Sequence, residues 1–342
     1  MDQPVAIAEE STRRRSLMTA LVWAGAAAGL YWVLHDFDWK EFVADLAFIE
    51  WKWVIPAVLF DVLSYVVQAV RWNYILRPLG APSILRSTQA IYVGLFTNEL
   101  LPLRGGEFVR AFLVAQWTEL PFSVVLSSVA IERLMDGIWL AVGFGITALV
   151  LTLPPVFAHG AQILGVLVLV GIALLIAVLA EGLKVTHALE RTRAGQRHLL
   201  SMLLHFIDRL FEGLQTIGHS ASLYWAMAAS LLLLITQILA VWFMMWSYGL
   251  YFSFWVASAV LLILHLGTAI PNAPANLGSF QVTCVAALLL FGVDKTTATE
   301  FTLVMFVILT APLLIIGTLS LLWSGLSFQD IRRHARRAVG SR

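Results

Sequence analysis

Apolar runs long enough to cross a bilayer fall at residues 17–34, 51–74, 123–152, 161–182, 220–248 and 299–323. Each is close to the roughly 20 residues that a membrane helix needs. Two regions depart from that template. Residues 86–119 and 254–292 each hold two short apolar runs around an interruption that contains Pro and Gly. Irregular backbone survives at membrane depth only where protein or a water-filled cavity covers it. Each region therefore predicts a re-entrant helical hairpin that enters and leaves on one side. The expected fold is an all-α integral membrane protein of six full spans plus two oppositely oriented re-entrant helical hairpins.

The order span, hairpin, span occurs twice. A single transmembrane domain over 1–342 would hold one half at about 51–152, with its hairpin at 86–119, and a second at about 220–323, with its hairpin at 254–292. Span 51–74 runs opposite to its counterpart 220–248, which makes the repeat an inverted one. Interrupted hydrophobic segments at matching places in two inverted halves point to a transporter site near the bilayer midplane. Between the halves, Leu200, Leu203, Ile207, Leu210, Leu214 and Ile217 recur at three- and four-residue spacing. That pattern predicts a cytoplasmic amphipathic helix over 196–217, either lying in the interface or packed on the ends of the spans.

Composition agrees with a membrane protein: 60% of the chain is hydrophobic and 13% charged, against about 45–50% and 25% for soluble domains. The single cysteine, Cys284, excludes an intramolecular disulfide. Arg13–Arg15 ahead of Leu17–Leu34 resembles a signal sequence, but no small-residue cleavage site follows, so an uncleaved first span is expected. The net charge of +1 hides an asymmetry. With six spans and two hairpins, sixteen Lys and Arg fall on one side, Arg71, Arg77 and Arg86 among them. The other side keeps only Lys40, Lys52 and Lys295, with Arg104, Arg110 and Arg133 assigned to the membrane. The positive-inside rule then places both termini in the cytoplasm, and the protein in the cytoplasmic (inner) membrane.

Candidate chemistry concentrates at the first interruption, Asn98–Arg110. Gly105 and Gly106 open the helix that carries Glu107 and Arg110. A helix N-terminus offers unpaired N–H groups and partial positive charge, and glycine lets a ligand come close to the backbone. Arg104 adds a planar donor fork suited to phosphate. Together these make an anion site; the alternative is that Arg104 and Arg110 pair with Glu99 and Glu107 to satisfy a buried turn. Glu132 and Asp136 share one helix face with Arg133 beside them, which suits a network with Arg104 or Arg110 or a plain interface anchor. Asp61 stands in the middle of span 51–74 and must pair, face water or be protonated.

Three intramembrane arginines, 104, 110 and 133, face five acids, Asp61, Glu99, Glu107, Glu132 and Asp136. At least one acid is then expected to be protonated, or neutralised by a cationic headgroup or coupled ion. At the second interruption Pro271, Asn272, Pro274, Asn276, Gly278 and Gln281 offer amides and freed carbonyls for an outer path, or a satisfied structural turn; His265 precedes them. No HExxH, Gly-x-Ser-x-Gly, Walker loop or paired Asp-rich motif occurs, so no catalytic residue, metal or cofactor is expected. The acidic pair Asp36 and Asp38 sits in a short solvated loop. The basic tail Arg332–Arg342 suits anionic lipid at the membrane surface rather than nucleic acid.

The ordered motifs Asn98–Leu-Leu-Pro102–Arg104–Gly106-Glu107–Arg110, then Glu132-Arg133–Asp136, then Ile270-Pro271–Ala-Pro274–Leu-Gly278–Phe-Gln281 resemble the lysylphosphatidylglycerol synthase transmembrane-region family of flippase-like domains. The resemblance covers roughly 15–325 and implies movement of a phospholipid or polyprenyl-phosphate-linked lipid between leaflets. Asn98, Pro102, Arg104, Gly106, Glu107, Arg110, Glu132, Arg133 and Asp136 match the family pattern directly. Many members have Pro-Gly where this chain has Pro274-Ala275, and some have Glu where it has Gln281. Two other functions remain open: a secondary transporter of a small organic anion, and a non-catalytic membrane subunit that presents lipid to a separate lipid-synthesising enzyme.

Overall fold

The computed structural model describes residues 22–35, 37–101, 105–151, 208–209, 211–218, 220–269 and 273–325, with scattered residues between 162 and 173. Helices are α1 (Val22–Leu34), α2 (Trp39–Asp45), α3 (Trp51–Leu76), α4 (Ile84–Leu100), α5 (Gly106–Thr118) and α6 (Phe122–Val150). They continue as α7 (Ser222–Ser247), α8 (Phe254–Ala269), α9 (Ser279–Leu289) and α10 (Lys295–Trp323). No strand occurs among the described residues. The protein is a multi-pass membrane protein; among the described residues four helices, spanning Trp51–Leu79, Phe122–Val150, Ser222–Ser247 and Lys295–Trp323, are long and apolar enough to cross a bilayer. The expected span at 161–182, the start of that at 17–34 and the basic tail fall wholly or largely outside the described residues.

Local chemistry sets the helix ends. Ser83 accepts from the Arg86 amide at the start of α4, and Asp294 from the Thr297 amide at the start of α10. Each relieves an amide that the first helical turn leaves without a partner. Where both interruptions were expected, the described helices end and restart: α4 ends at Leu100 and α5 starts at Gly106, and α8 ends at Ala269 and α9 starts at Ser279. Gly106 shows why α4 and α5 can fold onto each other. A Cβ there would overlap the Gly94 carbonyl oxygen, so only glycine permits this approach.

The helix contacts have an internal symmetry. Pairing α3 with α7, α4 with α8, α5 with α9 and α6 with α10 sends every principal contact onto another. Thus α4 lies on α5 and α10, as α8 lies on α9 and α6; α5 lies on α6, as α9 lies on α10. The central pair α3 and α7 packs along its length and runs antiparallel. The Glu50 amide donates to the Ser247 carbonyl at 2.9 Å and Trp53 stacks on Phe243 at one end. At the other end Tyr74 stacks on Trp225.

Exposed aromatics ring both ends of the bundle, with Trp51 and Tyr251 at one and Tyr224, Trp225 and Trp323 at the other. Such belts sit at the headgroup level of a bilayer. Leu214 and Ile217 are buried against Ile75, Ile131, Met135 and Ala226, at the ends of α3, α6 and α7. Here the segment packs on the bundle through these two positions.

Candidate functional site

Two polar constellations lie inside the bundle. The first joins α3, α5 and α6. Arg71, 1% exposed, binds Glu132 (Nη2–Oε1, 3.0 Å) and also Asp136 through Nη1. The other oxygen of Glu132 meets Arg110 at 2.6 Å. Arg133 bridges Asp136 (3.2 Å) and Glu107 (2.6 Å). The order is Glu107, Arg133, Asp136, Arg71, Glu132, Arg110, alternating in sign and summing to zero.

Burial makes that alternation necessary. An ionised group taken out of water is tolerated only when paired, and removing one partner strands the other. Glu132 is fully buried and therefore needs both guanidinium neighbours. Arg110 also lies 4.6 Å over the Trp72 ring, a cation–π contact in a desolvated setting. Its Nη1 has no hydrogen-bond partner among the described residues. The Trp72 indole N–H donates to Ser128 at 2.8 Å, which ties α3 to α6 beside the network.

Arg71 corrects the sequence reading, which set it among the charges outside the membrane. It sits inside α3 and its guanidinium is the centre of the network. The signal was present: Arg71 falls within the apolar run 51–74 rather than after it. The charge count on its former side drops from sixteen to fifteen against three, so the bias stands. Added to Arg104, Arg110 and Arg133, which the sequence reading assigns to the membrane, Arg71 raises that expected count to four arginines against five acids.

The second constellation is a cavity of about 190 Å³ between the two halves. Asp61 and Tyr65 of α3, Glu99 of α4, Gln237 of α7, His265 of α8, Asn276 and Thr310 supply its polar lining. Phe280, Phe306 and several Leu and Met side chains supply the rest. Residues beside both interruptions line it, Glu99 before the first and Ala275, Asn276 and Phe280 at the second. Glu99 lies in the last turn of α4, and the Pro274–Asn276 turn packs against α4. Asp61 is 8% exposed, lies beside the Tyr65 hydroxyl, and its Oδ2 has no hydrogen-bond partner among the described residues. His265 is within coulombic reach of Asp136, so the cavity and the ionic network are electrostatic neighbours.

Of the residues expected from sequence, Glu107, Arg110, Glu132, Arg133 and Asp136 come together in the network, and Asp61 and Asn276 in the cavity. Others hold the backbone. Asn98 Oδ1 accepts the Gly106 amide at 2.8 Å, so this donor at the start of α5 is already used. Gly106 is buried by α4, while Gly105 faces open space. Gln281 Oε1 accepts the Gly278 amide at 2.8 Å and caps α9. Gly278 has φ of 82° and lies against Ala26 of α1, where a Cβ would collide. Pro274 opens a short turn in which Ala275 (φ 57°) and Asn276 (φ 51°) are left-handed. Arg104, Pro271 and Asn272 lie outside the described residues. Tyr65 and Gln237 were not foreseen; apart from their place in apolar runs, nothing in the sequence marks them.

The family model for the lysylphosphatidylglycerol synthase TM region matches residues 17–317. A UPF0104 membrane protein of Methanothermobacter thermautotrophicus is 25% identical over 302 residues, 83% of this chain and 87% of the relative. Another, from Methanocaldococcus jannaschii, is 31% identical over 88 residues, 25% of this chain and 26% of the relative. The glycosyltransferase AglD of Haloferax volcanii is 29% identical over 126 residues, 36% of this chain and 20% of the relative. The latter two are thus matched over about a quarter and a fifth of their length. No solved structure matches.

Proposed function

Because the chain belongs to the lysylphosphatidylglycerol synthase transmembrane-region family, we propose that it moves a phospholipid or polyprenyl-phosphate-linked lipid between the leaflets of the cytoplasmic membrane. The observation that carries this is one polar cavity lined by Glu99, beside the first interruption, and by Ala275 and Asn276 of the second. α4–α5 and α8–α9 are taken as re-entrant hairpins of an inverted repeat, the first entered from the cytoplasm and the second from outside, with both termini cytoplasmic. The antiparallel α3–α7 pair and the exchangeable helix contacts support the inversion. In secondary transporters of that plan the site lies at the repeat interface and access alternates around it.

Within this scheme the hairpin tips carry the polar headgroup past the midplane while acyl chains stay in lipid. The ionic network holds α3, α5 and α6 as one unit, and Arg104 is the guanidinium offered to a phosphate. Chemistry is left to other proteins. A second function, lipid presentation to a separate enzyme, is favoured by one observation: a relative named as a glycosyltransferase shares 126 aligned residues. The basic tail is proposed to rest on anionic lipid.

Reconstitution tests the proposal. Vesicles holding fluorescent or aminoacylated lipids should show leaflet exchange faster than protein-free vesicles. Arg104→Ala should slow it by about tenfold, the equivalent of about 1.4 kcal/mol. No exchange above the protein-free rate with any lipid class, or equal rates for both proteins, would contradict the function or the phosphate role respectively.

A further inference from the structure

We propose that the central cavity is a proton-binding site, with Asp61 and Glu99 as the carboxyl pair that shares the proton, and that lipid movement is coupled to its protonation. The site itself stands on the geometry; the coupling rests on the proposed function.

Charge accounting leads there. The network leaves no surplus, because its three guanidinium groups meet three carboxylates. Asp61 and Glu99 both line the cavity and lie outside that sum. Between α4 and α5 (101–105) and between α8 and α9 (270–278) the sequence carries one Lys or Arg, Arg104. Even with Arg104 turned to the cavity, two acids would face one guanidinium. A carboxylate left without countercharge in a low-dielectric interior is costly enough that it takes up a proton instead.

The surroundings suit a proton better than a metal ion. Among the described residues no group of three or more His, Cys, Asp and Glu side chains is placed to hold a metal. Hard cations need about six oxygen ligands, whereas much of this lining is Leu, Phe and Met. The cavity is polar enough and large enough for several waters, which supply a route for proton entry. Among the described residues, titratable neighbours come from three helices: Tyr65 with Asp61 on α3, Tyr92 and Glu99 on α4, His265 on α8. The lining residues of α7, α9, α10 and the Pro274–Asn276 turn add none.

The position also gives protonation something to act on. Asp61 shares α3 with Arg71, ten residues or about 15 Å along the helix. His265, which lines the cavity, also interacts electrostatically with Asp136, a partner of Arg71. A change of cavity charge is therefore felt by the network that clamps α3 to α6.

Two measurements on the full-length protein test this. Infrared titration in detergent, across about pH 5 to 9, the range into which burial moves carboxyl groups, should show a protonated-carboxyl carbonyl band that bleaches as pH rises. Asp61→Asn or Glu99→Gln should remove or shift it, and Asp61→Glu should restore it; the three variants guard against one failing to fold. In vesicles loaded with a pH-sensitive dye, wild-type lipid exchange should change at least about threefold with an imposed pH gradient, and Asp61→Asn should not respond. Absence of a titrating band, a band untouched by both substitutions, or exchange that follows sodium and ignores pH would overturn the proposal. A protein that titrates but moves no lipid would keep the proton site and remove the proposed function.

Discussion

Arg71 and Glu132 pair at 3.0 Å with their side chains 1% and 0% exposed, a sealed ion pair between α3 and α6 inside a membrane bundle. Its partners make it more than a bridge, since Arg71 also holds Asp136 and Glu132 also holds Arg110. Removing one member should cost about 3–5 kcal/mol by stranding the others. The Arg71→Met/Glu132→Gln double variant should therefore lose less thermal stability than the sum of the losses in Arg71→Met and Glu132→Gln. A double variant as unstable as the sum of the singles would mean the two charges act independently.

Gly106→Ala should prevent α4 and α5 from closing, because the new methyl overlaps the Gly94 carbonyl. Overpacking of this kind costs about 1–3 kcal/mol. Gly105→Ala meets open space and should be close to neutral. Comparing the unfolding midpoints of the two alanine variants checks the close approach itself.

Ala275 holds φ of 57° beside the cavity. Left-handed backbone costs an ordinary L-residue about 1–2 kcal/mol, while glycine gives back about 0.5–1 kcal/mol in unfolded-chain entropy. Ala275→Gly should be neutral to stabilising by about 1 kcal/mol, and Ala275→Val destabilising. A melting series across the three residues would show the reverse order if this turn were relaxed in another conformation.

Asp294 caps α10 by accepting the Thr297 amide, and that hydrogen bond holds its carboxyl below the usual range. A lowered folded-state pKa contributes stability above the unfolded value, near 4, that is lost as pH falls through the folded value. Asp294→Ala should cost about 1 kcal/mol at neutral pH. The gap to wild type should close below about pH 4. A gap that persists in acid would assign the loss to packing.

The elements were legible in the sequence because membrane depth imposes a simple rule: apolar runs of about 20 residues, and breaks only where protein covers them. Thus α3, α6, α7 and α10 begin and end within four residues of the expected runs, and both interruptions fall where Pro and Gly cluster. The partners of the charges were not legible. Arg71 looked like the end of a span because one-dimensional hydropathy cannot tell a guanidinium facing water from one facing Glu132. Asn98 and Gln281 carried polar groups that suited a ligand equally well, and only the fold shows them spent on the Gly106 and Gly278 amides. The cavity drew on residues from α3, α4, α7, α8 and α10, a set that no local pattern joins.

On the proposed function, lipid headgroups pass through the cavity lined by Asp61 and Glu99. Filling it tests this most directly. Thr310 lines the cavity from α10, and Thr310→Trp should occupy it without touching the ionic network. Leaflet exchange by that variant, measured in vesicles beside wild type and with thermal stability checked in parallel, should fall to the protein-free rate while the fold is retained. Exchange at the wild-type rate by a folded Thr310→Trp protein would contradict the claim.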